Sequence, residues 1–545
     1  MHQFGVNIPG DRHEFDPELW AAPGKANGVK ARHLNNGTED THKPKMPQRH
    51  PETNVDVLIV GAGMGGLMTA LECWRKGHNV VGILERNQGP VYSGDIIAIL
   101  PSVLSILCHW PDMQSDLERD QVHVDLTYET HEGKHIYGPT PPSFNDPEHL
   151  DGRKGPRPAA AQIRQRFFRM FLRQVARLGL RIDYGCQVQE YFEDMHAAKG
   201  GVVFLDSEGQ RSTRIADVVV AADGLRSRSE LLIAGKYESP RSSGMSIYRC
   251  SYPTKLAMAD PIVRERWGGG DGSDGVAGTG GKPRADQVAE TSESWEFWLG
   301  PGMYMGIFMS PELVAWGFTP REQPEGDDAT ESWEPDVDPN TVADMMEAAA
   351  PDWHPAVPAL VRTAPKGAVV HWPLLWRDLR QKWTSAGGHV VQVGDSAHTF
   401  TPTSGNGATQ ALEDAISLAT CLQLGSGRPA TATKIYNLLR YERVSCAQKM
   451  SFVNAELKTA TNWDAIWAEP ARIRTRFPQW IFRHDPEAYA YEKYGQAFAH
   501  LVAGAEFQNT NTPPGHKFKP WTIAEVYSEI EKGRKMEDLL DGDWS

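Results

Sequence analysis

The chain has little cysteine: six in 545 residues, at positions 73, 108, 186, 250, 421 and 446, with no C-x-x-C pair. That argues against a disulfide framework and fits reduced thiols in a cytoplasmic protein. It has no basic excess either. Lys and Arg number 56 against 70 Asp and Glu, a net charge of −14, so bulk electrostatics exclude a nucleic-acid binder. The basic cluster at 164–173 alternates with Phe, Met and Leu and reads as a helix face. No run reaches the ~18 apolar residues of a membrane span. The first fifteen residues lack a basic start followed by an apolar core, so no secretory signal is expected. No Cys/His cluster suggests a metal. Nor does a second G-x-G-x-x-G sit between an apolar strand and a helical pattern, which disfavours a reductase with separate FAD and NAD domains.

One such unit is present. Residues 55–86 read VDVLIVGAGMGGLMTALECWRKGHNVVGILER. An apolar strand runs into Gly61, Gly63, Gly65 and Gly66, a helical pattern follows, Gly77 closes it, and a second strand ends at Glu85. Gly61 permits the tight turn, Gly63 lets backbone approach a pyrophosphate, and Gly66 lets helix pack on strand. The helix N-terminus then offers N–H groups and its positive dipole end to phosphate. Glu85, nineteen residues past Gly66, stands where a carboxylate accepts from ribose hydroxyls, with Arg86 beside it.

Two later segments narrow the dinucleotide. Residues 216–229, ADVVVAADGLRSRS, are a buried strand followed by Asp223-Gly224 and a basic run. Residues 388–422, GHVVQVGDSAHTFTPTSGNGATQALEDAISLATCL, are a strand, Gly394-Asp395, a loop with Pro402, Gly405, Asn406 and Gly407, then a long helix. Together the three segments resemble the single-component, group A FAD-dependent aromatic hydroxylases, over roughly residues 55–480. The piece Phe477-Pro-Gln-Trp480-Ile-Phe-Arg-His484-Asp485 resembles the end of salicylate-hydroxylase-like members.

The resemblance implies non-covalent FAD. Asp223 would serve the pyrophosphate side, with Arg226 and Arg228 either meeting phosphates or solvated. Asp395 would accept from a ribityl hydroxyl, and the 402–407 loop would pass the flavin ring. The family loop usually reads G-Q-G; Asn406 keeps the amide but shortens its reach. Arg164 heads a helix expected over 164–178, at a position where relatives contact FAD, and Val188 matches a strand whose backbone meets the adenine. Each of these has a bland alternative, a solvated helix face for Arg164 and burial for Val188. The resemblance also implies NADH or NADPH as a transient co-substrate, O2 activation as C4a-hydroperoxyflavin, and hydroxylation of a phenolic or other aromatic small molecule. Oxidative decarboxylation of an aromatic acid is a further option. Arg249, Tyr248 and Tyr304 are the candidate substrate residues, with Trp372 and Arg377 as further pocket candidates; core packing is the alternative for each aromatic. Phe308 stands where some relatives carry a pocket Tyr, and His398 matches a generally structural histidine. The W-x-W-x-I-P motif of flavin halogenases is missing.

The expected fold is α/β. It has a polar N-terminal extension (1–54), a Rossmann-type FAD domain in two parts (55–235 and 376–458), an inserted, mostly antiparallel β-sheet substrate domain (236–375) and a helical C-terminal region (459–545). Glycine-rich (267–292) and acidic (321–338) insertions interrupt the middle part. A homodimer is compatible with this reading. Rival functions are epoxidation or hydroxylation of a non-phenolic secondary metabolite, and a flavin-binding sensor without catalysis.

Overall fold

Val57, Leu58, Ile59 and Val60 are all buried, as an apolar strand covered on both faces must be. This strand, Asp56–Val60, is central in a five-stranded parallel sheet. The order is Val390–Gln392, Val218–Ala221, Asp56–Val60, Asn79–Glu85, Ile182–Tyr184. The three strands that carry the three motifs are therefore neighbours. They also end together: Val60 pairs with Ala221, and Ala221 with Gln392. The glycine turn, the DG pair and the GD pair leave the same carboxyl edge. The chain there switches from one side of the central strand to the other, the place where open α/β sheets bind ligands. In this computed structural model the described residues are 46–92, 95–150, 158–268, 293–321, 337–402, 405–425 and 427–545. Most of the expected N-terminal extension, and most of the glycine-rich and acidic insertions, lie outside them.

The second large sheet has seven strands, in the order Val370–Trp376, Arg241–Pro253, Leu313–Thr319, Met303–Met309, Ser294–Gly300, Leu126–Thr130, His135–Thr140. It is antiparallel except where Ser294–Gly300 meets Leu126–Thr130. Its last two strands come from before residue 235, so the sheet draws on more than the expected insertion. That parallel pair needs a long crossover, and the chain between residues 130 and 294 supplies it. Alternation assigns the faces. Tyr248, Cys250 and Tyr252 share one apolar cluster with Val342, Met346, Val357 and Leu360 from helices Pro339–Ala349 and Ala356–Arg362. Arg249 faces the other way. Across that other face one row of paired residues reads Arg249, Gly317, Gly306, Phe297.

Helix Met64–Arg75 packs on helix Gly407–Leu424, with space for the approach made by small residues: a Cβ on Gly65 would sit 3.3 Å from the Ala411 Cβ. The expected helix at 164–178 is observed as Arg164–Arg177. The C-terminal region is helical, with Trp463–Ala468, Gln479–Phe482, Pro486–Ala503 and Ile523–Glu531. Among the described residues no helix is long and apolar enough to cross a membrane.

Helix Pro429–Thr459 is tied to Gly407–Leu424 by buried charge. Arg440 donates from Nε to Asp414 at 2.8 Å and pairs with Glu413, which Arg443 also engages at 2.8 Å. Burial pushes both carboxyl pKa values up. The charges of Arg443 and Arg440 hold Glu413 below its ordinary range, and those of His398 and Arg440 do the same for Asp414. A folded pKa below the unfolded one gives stability that is present above the unfolded value and lost as pH falls. The wild type's resistance to urea is therefore expected to weaken as pH drops through about 4. Arg440→Met should cost about 3–5 kcal/mol at pH 7, since it leaves buried carboxylates short of a partner. An unchanged urea midpoint for the variant would show the cluster to be neutral to stability.

Candidate functional site

A cavity of about 610 Å³ opens at the shared carboxyl edge. Its walls are the three motif loops, and each has a local reason for its shape. Gly61 has φ +102°, and a Cβ there would lie 2.2 Å from the Ala222 carbonyl oxygen. A Cβ on Gly66 would lie 2.0 Å from the Gly61 carbonyl oxygen. Gly63 is different. A Cβ there would meet nothing within 4 Å, because this glycine faces the cavity. It is the N-cap of helix Met64–Arg75 and makes no side-chain cap, so the helix presents its first N–H groups toward that space. Glu85 is held in place from behind. One carboxylate oxygen accepts from the Ala62 N–H at 2.9 Å, and the other accepts from the Asn87 N–H at 2.9 Å and its side-chain amide at 2.7 Å. Arg86, Arg164, Val188, Arg226 and Arg228 also line the cavity.

Ser396 clasps the DG and GD loops together. Its hydroxyl donates to Asp223 at 3.3 Å and accepts from the Gly224 N–H at 3.0 Å, while the Tyr191 hydroxyl donates to the second Asp223 oxygen at 2.7 Å. Burial pushes the Asp223 pKa up, against the pull of these hydrogen bonds. Asp395, the next residue round, lines the cavity and is exposed to it. Enclosure by protein raises its pKa, opposed by the nearby His398 and Arg377. Gly394 takes φ +63° and donates its N–H to Asp414 at 2.9 Å. His398 meets the same carboxylate at 2.6 Å, fully buried, and so braces this turn. Arg377 is not a pocket side chain. It donates to the Ser396 carbonyl at 3.0 Å and pairs with buried Glu230, behind the loop.

A second cavity, of about 330 Å³, lies over the seven-stranded sheet. Pro402, Gly405, Asn406 and Gly407 line it, and Gly407 lines the first cavity too. Ile97, Arg249, Trp372, Phe400 and Ala408 are also common to both, so the two spaces meet along this wall. At the junction the Arg249 guanidinium lies 5.6 Å from the Trp372 ring centre and 3.6 Å from Asp95. Burial, then the charge of Arg249, pushes Arg164 down to about 10, with Asp95 opposing. Tyr304 and Phe308 line the second cavity. Burial raises the Tyr304 hydroxyl to about 12, so it stays protonated at neutral pH. Tyr248 does not join its sequence neighbour there. Strand alternation sends it to the opposite face, where it stacks on His371 with ring centres 4.5 Å apart.

Several lining residues were not legible beforehand. Asp95 and Lys458 carry no motif. Gly306 and Gly317 did leave a signal, since a lone glycine inside an apolar strand marks close approach of another group. Thr475 and Phe477 bring the C-terminal region into the cavity wall.

Comparison with known proteins agrees with this geometry. Residues 54–428 match the family model described as FAD binding domain. The FAD-dependent monooxygenase dmxR9 of Cryptosporiopsis sp. (strain 8999) is 63% identical over 543 residues, covering 99% of each chain. The FAD-dependent monooxygenase mdpD of Emericella nidulans is 61% identical over 548 residues, covering 100% of each. Among solved structures, CtdE in complex with FAD and a substrate matches with a TM-score of 0.69 at 23% identity, over 82% of this chain and 100% of that one. A salicylate hydroxylase substrate complex matches with a TM-score of 0.57 at 18% identity, over 81% and 98%. The two structures speak for the fold.

The larger cavity has the groups FAD would need: glycine backbone and a helix N-terminus that would face its pyrophosphate, Glu85 where a ribose would lie, and Asp395 toward the second cavity. Gly63→Val should fold normally, because the new side chain meets only open space, yet lose at least a hundredfold in FAD affinity. Asp395→Ala should lose about ten- to hundredfold, the worth of one charge-assisted hydrogen bond. Fluorescence titration of FAD into apoprotein checks both, and full affinity in Gly63→Val would remove the pyrophosphate from this turn.

Proposed function

Since the chain belongs to the FAD-binding family of flavin-dependent monooxygenases, we propose that it hydroxylates a phenolic or other aromatic small molecule, with NADH or NADPH as electron donor. Bound FAD supplies reduction by the nicotinamide and activation of O2. The observation that carries the reading is the wall common to both cavities, Arg249, Trp372, Phe400 and Gly407 among it. A ring lying over the seven-stranded sheet would meet the cofactor there. The sheet side of the wall is aromatic and apolar, with Trp295, Phe297, Phe308 and Leu374. Such a wall excludes water and makes each charge inside it count for more.

Within that setting Arg249 has a clear task. A phenolate is a better nucleophile than a phenol, and a fixed guanidinium stabilises the anion without reorganising. Asp95, at 3.6 Å, orients the guanidinium and offsets part of its charge. Tyr304 remains a neutral hydroxyl that can hydrogen-bond the substrate. A second reading, oxidative decarboxylation of an aromatic acid, draws support from the same cation and from Phe477. That residue opens the salicylate-hydroxylase-like segment and lies in the cavity wall.

Screening phenolic acids for stimulated NADH or NADPH oxidation tests the reading, with product measured against peroxide. Arg249→Met should keep FAD and lose about 30- to 1000-fold in product formation, the worth of one fixed charge at a developing anion. The electrons should be diverted to peroxide. Normal product yield in the variant would move the polar anchor elsewhere. A wild type that no phenol or phenolic acid stimulates would refute the reading itself.

A further inference from the structure

A third cavity, of about 480 Å³, lies at the starts of strands Leu126–Thr130 and Ser294–Gly300. Thr127 and Ser294 line it, while Leu126 and Trp295, their neighbours in sequence, line the second cavity. Pro142 and Ala160 line both. The third cavity runs from solvent into protein. His123, Asp125, Pro139 and Glu293 are exposed at its rim, whereas Pro142, Asn145 and Ala160 are buried at its base. It is a funnel whose narrow end is the wall of the cavity over the seven-stranded sheet.

The frame of the funnel is stiff. Pro139 lies in the edge strand His135–Thr140, and Pro141 and Pro142 follow it. Proline fixes φ and offers no N–H, so this edge resists pairing with a further strand across the opening. Both sides of the neck are tied. Asn145 donates its side-chain amide to the Pro158 carbonyl at 2.8 Å, which joins the turn after Pro142 to the segment that carries Ala160. Arg474 donates to the Pro141 carbonyl at 2.9 Å and to Asp146 at 2.7 Å. Pro142 has a fixed ring and Ala160 a single methyl, so neither brings a long side chain to the neck.

A second way into the sheet cavity has a use. That cavity meets the cofactor cavity along Arg249, Trp372 and Gly407, and bound FAD would fill that side. The rim also carries charge. Asp125 and Glu293 are exposed carboxylates, and no Lys or Arg is among the described lining residues. An anion approaches this rim against two like charges. An ordinary phenol, with a pKa of about 10, is neutral at pH 7 and does not. It would meet a cation, Arg249, only inside.

We propose that the funnel is the substrate's entry site, with passage between Pro142 and Ala160, and that its acidic rim admits neutral phenols faster than aromatic acids. The proposal rests on the aromatic-hydroxylase reading and adds the route and the charge state of the molecule admitted.

The test mixes holoenzyme at pH 7 with 2-naphthol as the neutral probe or 3-hydroxy-2-naphthoate as the anion, in a stopped-flow instrument that follows flavin absorbance. The slope of the observed rate against probe concentration gives association, and the intercept gives dissociation. Ala160→Phe should slow both rates for 2-naphthol by at least about tenfold and keep their ratio within about threefold, because a raised barrier slows both directions alike. Asp125→Lys/Glu293→Lys should speed association of the anion at least about threefold at low salt and leave 2-naphthol within about 1.5-fold; the gain should vanish near 0.5 M salt, where the Debye length is roughly 4 Å. FAD content should match wild type in both variants, and the rim variant decides alone if Ala160→Phe fails to hold flavin. An altered affinity in Ala160→Phe with unchanged association would make Ala160 a wall residue and overturn the passage. An anion rate indifferent to the charge reversal would overturn the selection of neutral phenols. Wild-type association in both variants would route the substrate past Pro402, exposed on the cofactor-side loop, and overturn the proposal while the hydroxylase reading stands. A wild-type flavin that neither probe perturbs, with no stimulated NADPH oxidation, would overturn both.

Discussion

Val60, Ala221 and Gln392 lie side by side in three adjacent parallel strands, and every part of the cofactor cavity hangs from that row. The three motifs are separated by more than three hundred residues of chain. Backbone pairing alone brings them to one edge. Ladder bonds continue into the loops, from the Ala222 N–H to the Val60 carbonyl at 2.8 Å and from the Val393 N–H to the Ala221 carbonyl at 3.0 Å. Slipping one strand by a residue would turn a buried valine toward the wrong face and carry its loop away from the other two. The site inherits its rigidity from the core of the sheet.

Charge is used differently at three depths. Behind the GD loop, Asp414 is shared by Arg440, His398 and the Gly394 N–H, so the turn that carries Asp395 is fixed by a fully buried network. At the junction, Arg249 and Asp95 both line the second cavity, partly exposed and 3.6 Å apart. Over the seven-stranded sheet, Lys458 lines the second cavity with its ammonium 4.5 Å from the Phe297 ring centre, where a cation is attracted by the ring quadrupole.

The cofactor half was legible in the sequence because its constraints are local. Gly61 and Gly66 are glycines because backbone oxygens stand 2.2 and 2.0 Å from where a Cβ would be, and such contacts within one turn leave a motif. Asp223 and Asp395 follow apolar strands for the same reason. The cavity over the seven-stranded sheet was read less well, because its residues converge through sheet pairing rather than sequence spacing. Tyr248 and Arg249 are adjacent in sequence yet on opposite faces. Arg377 sits behind the GD loop, held by Glu230 and the Ser396 carbonyl. Lys458 lies more than two hundred residues from Arg249 and reaches the same cavity from a different element. The two strand glycines at 306 and 317 were the visible clue; their meaning needs the register that puts them between Arg249 and Phe297. The two strands at 126–140 likewise join the seven-stranded sheet through a parallel pairing that no local pattern announces.

The central claim is that one continuous space runs from the glycine turn to the seven-stranded sheet, with the reactive end of the cofactor at the wall common to both cavities. A crystal structure of the FAD-bound protein tests it most directly. The account predicts the pyrophosphate against Gly63 and the start of helix Met64–Arg75, the adenosine end beside Glu85 and Val188, and the flavin ring between Trp372 and Gly407, facing the row of Arg249, Gly317, Gly306 and Phe297. A flavin ring that lies outside this junction, with the second cavity closed off from it by protein, would contradict the account.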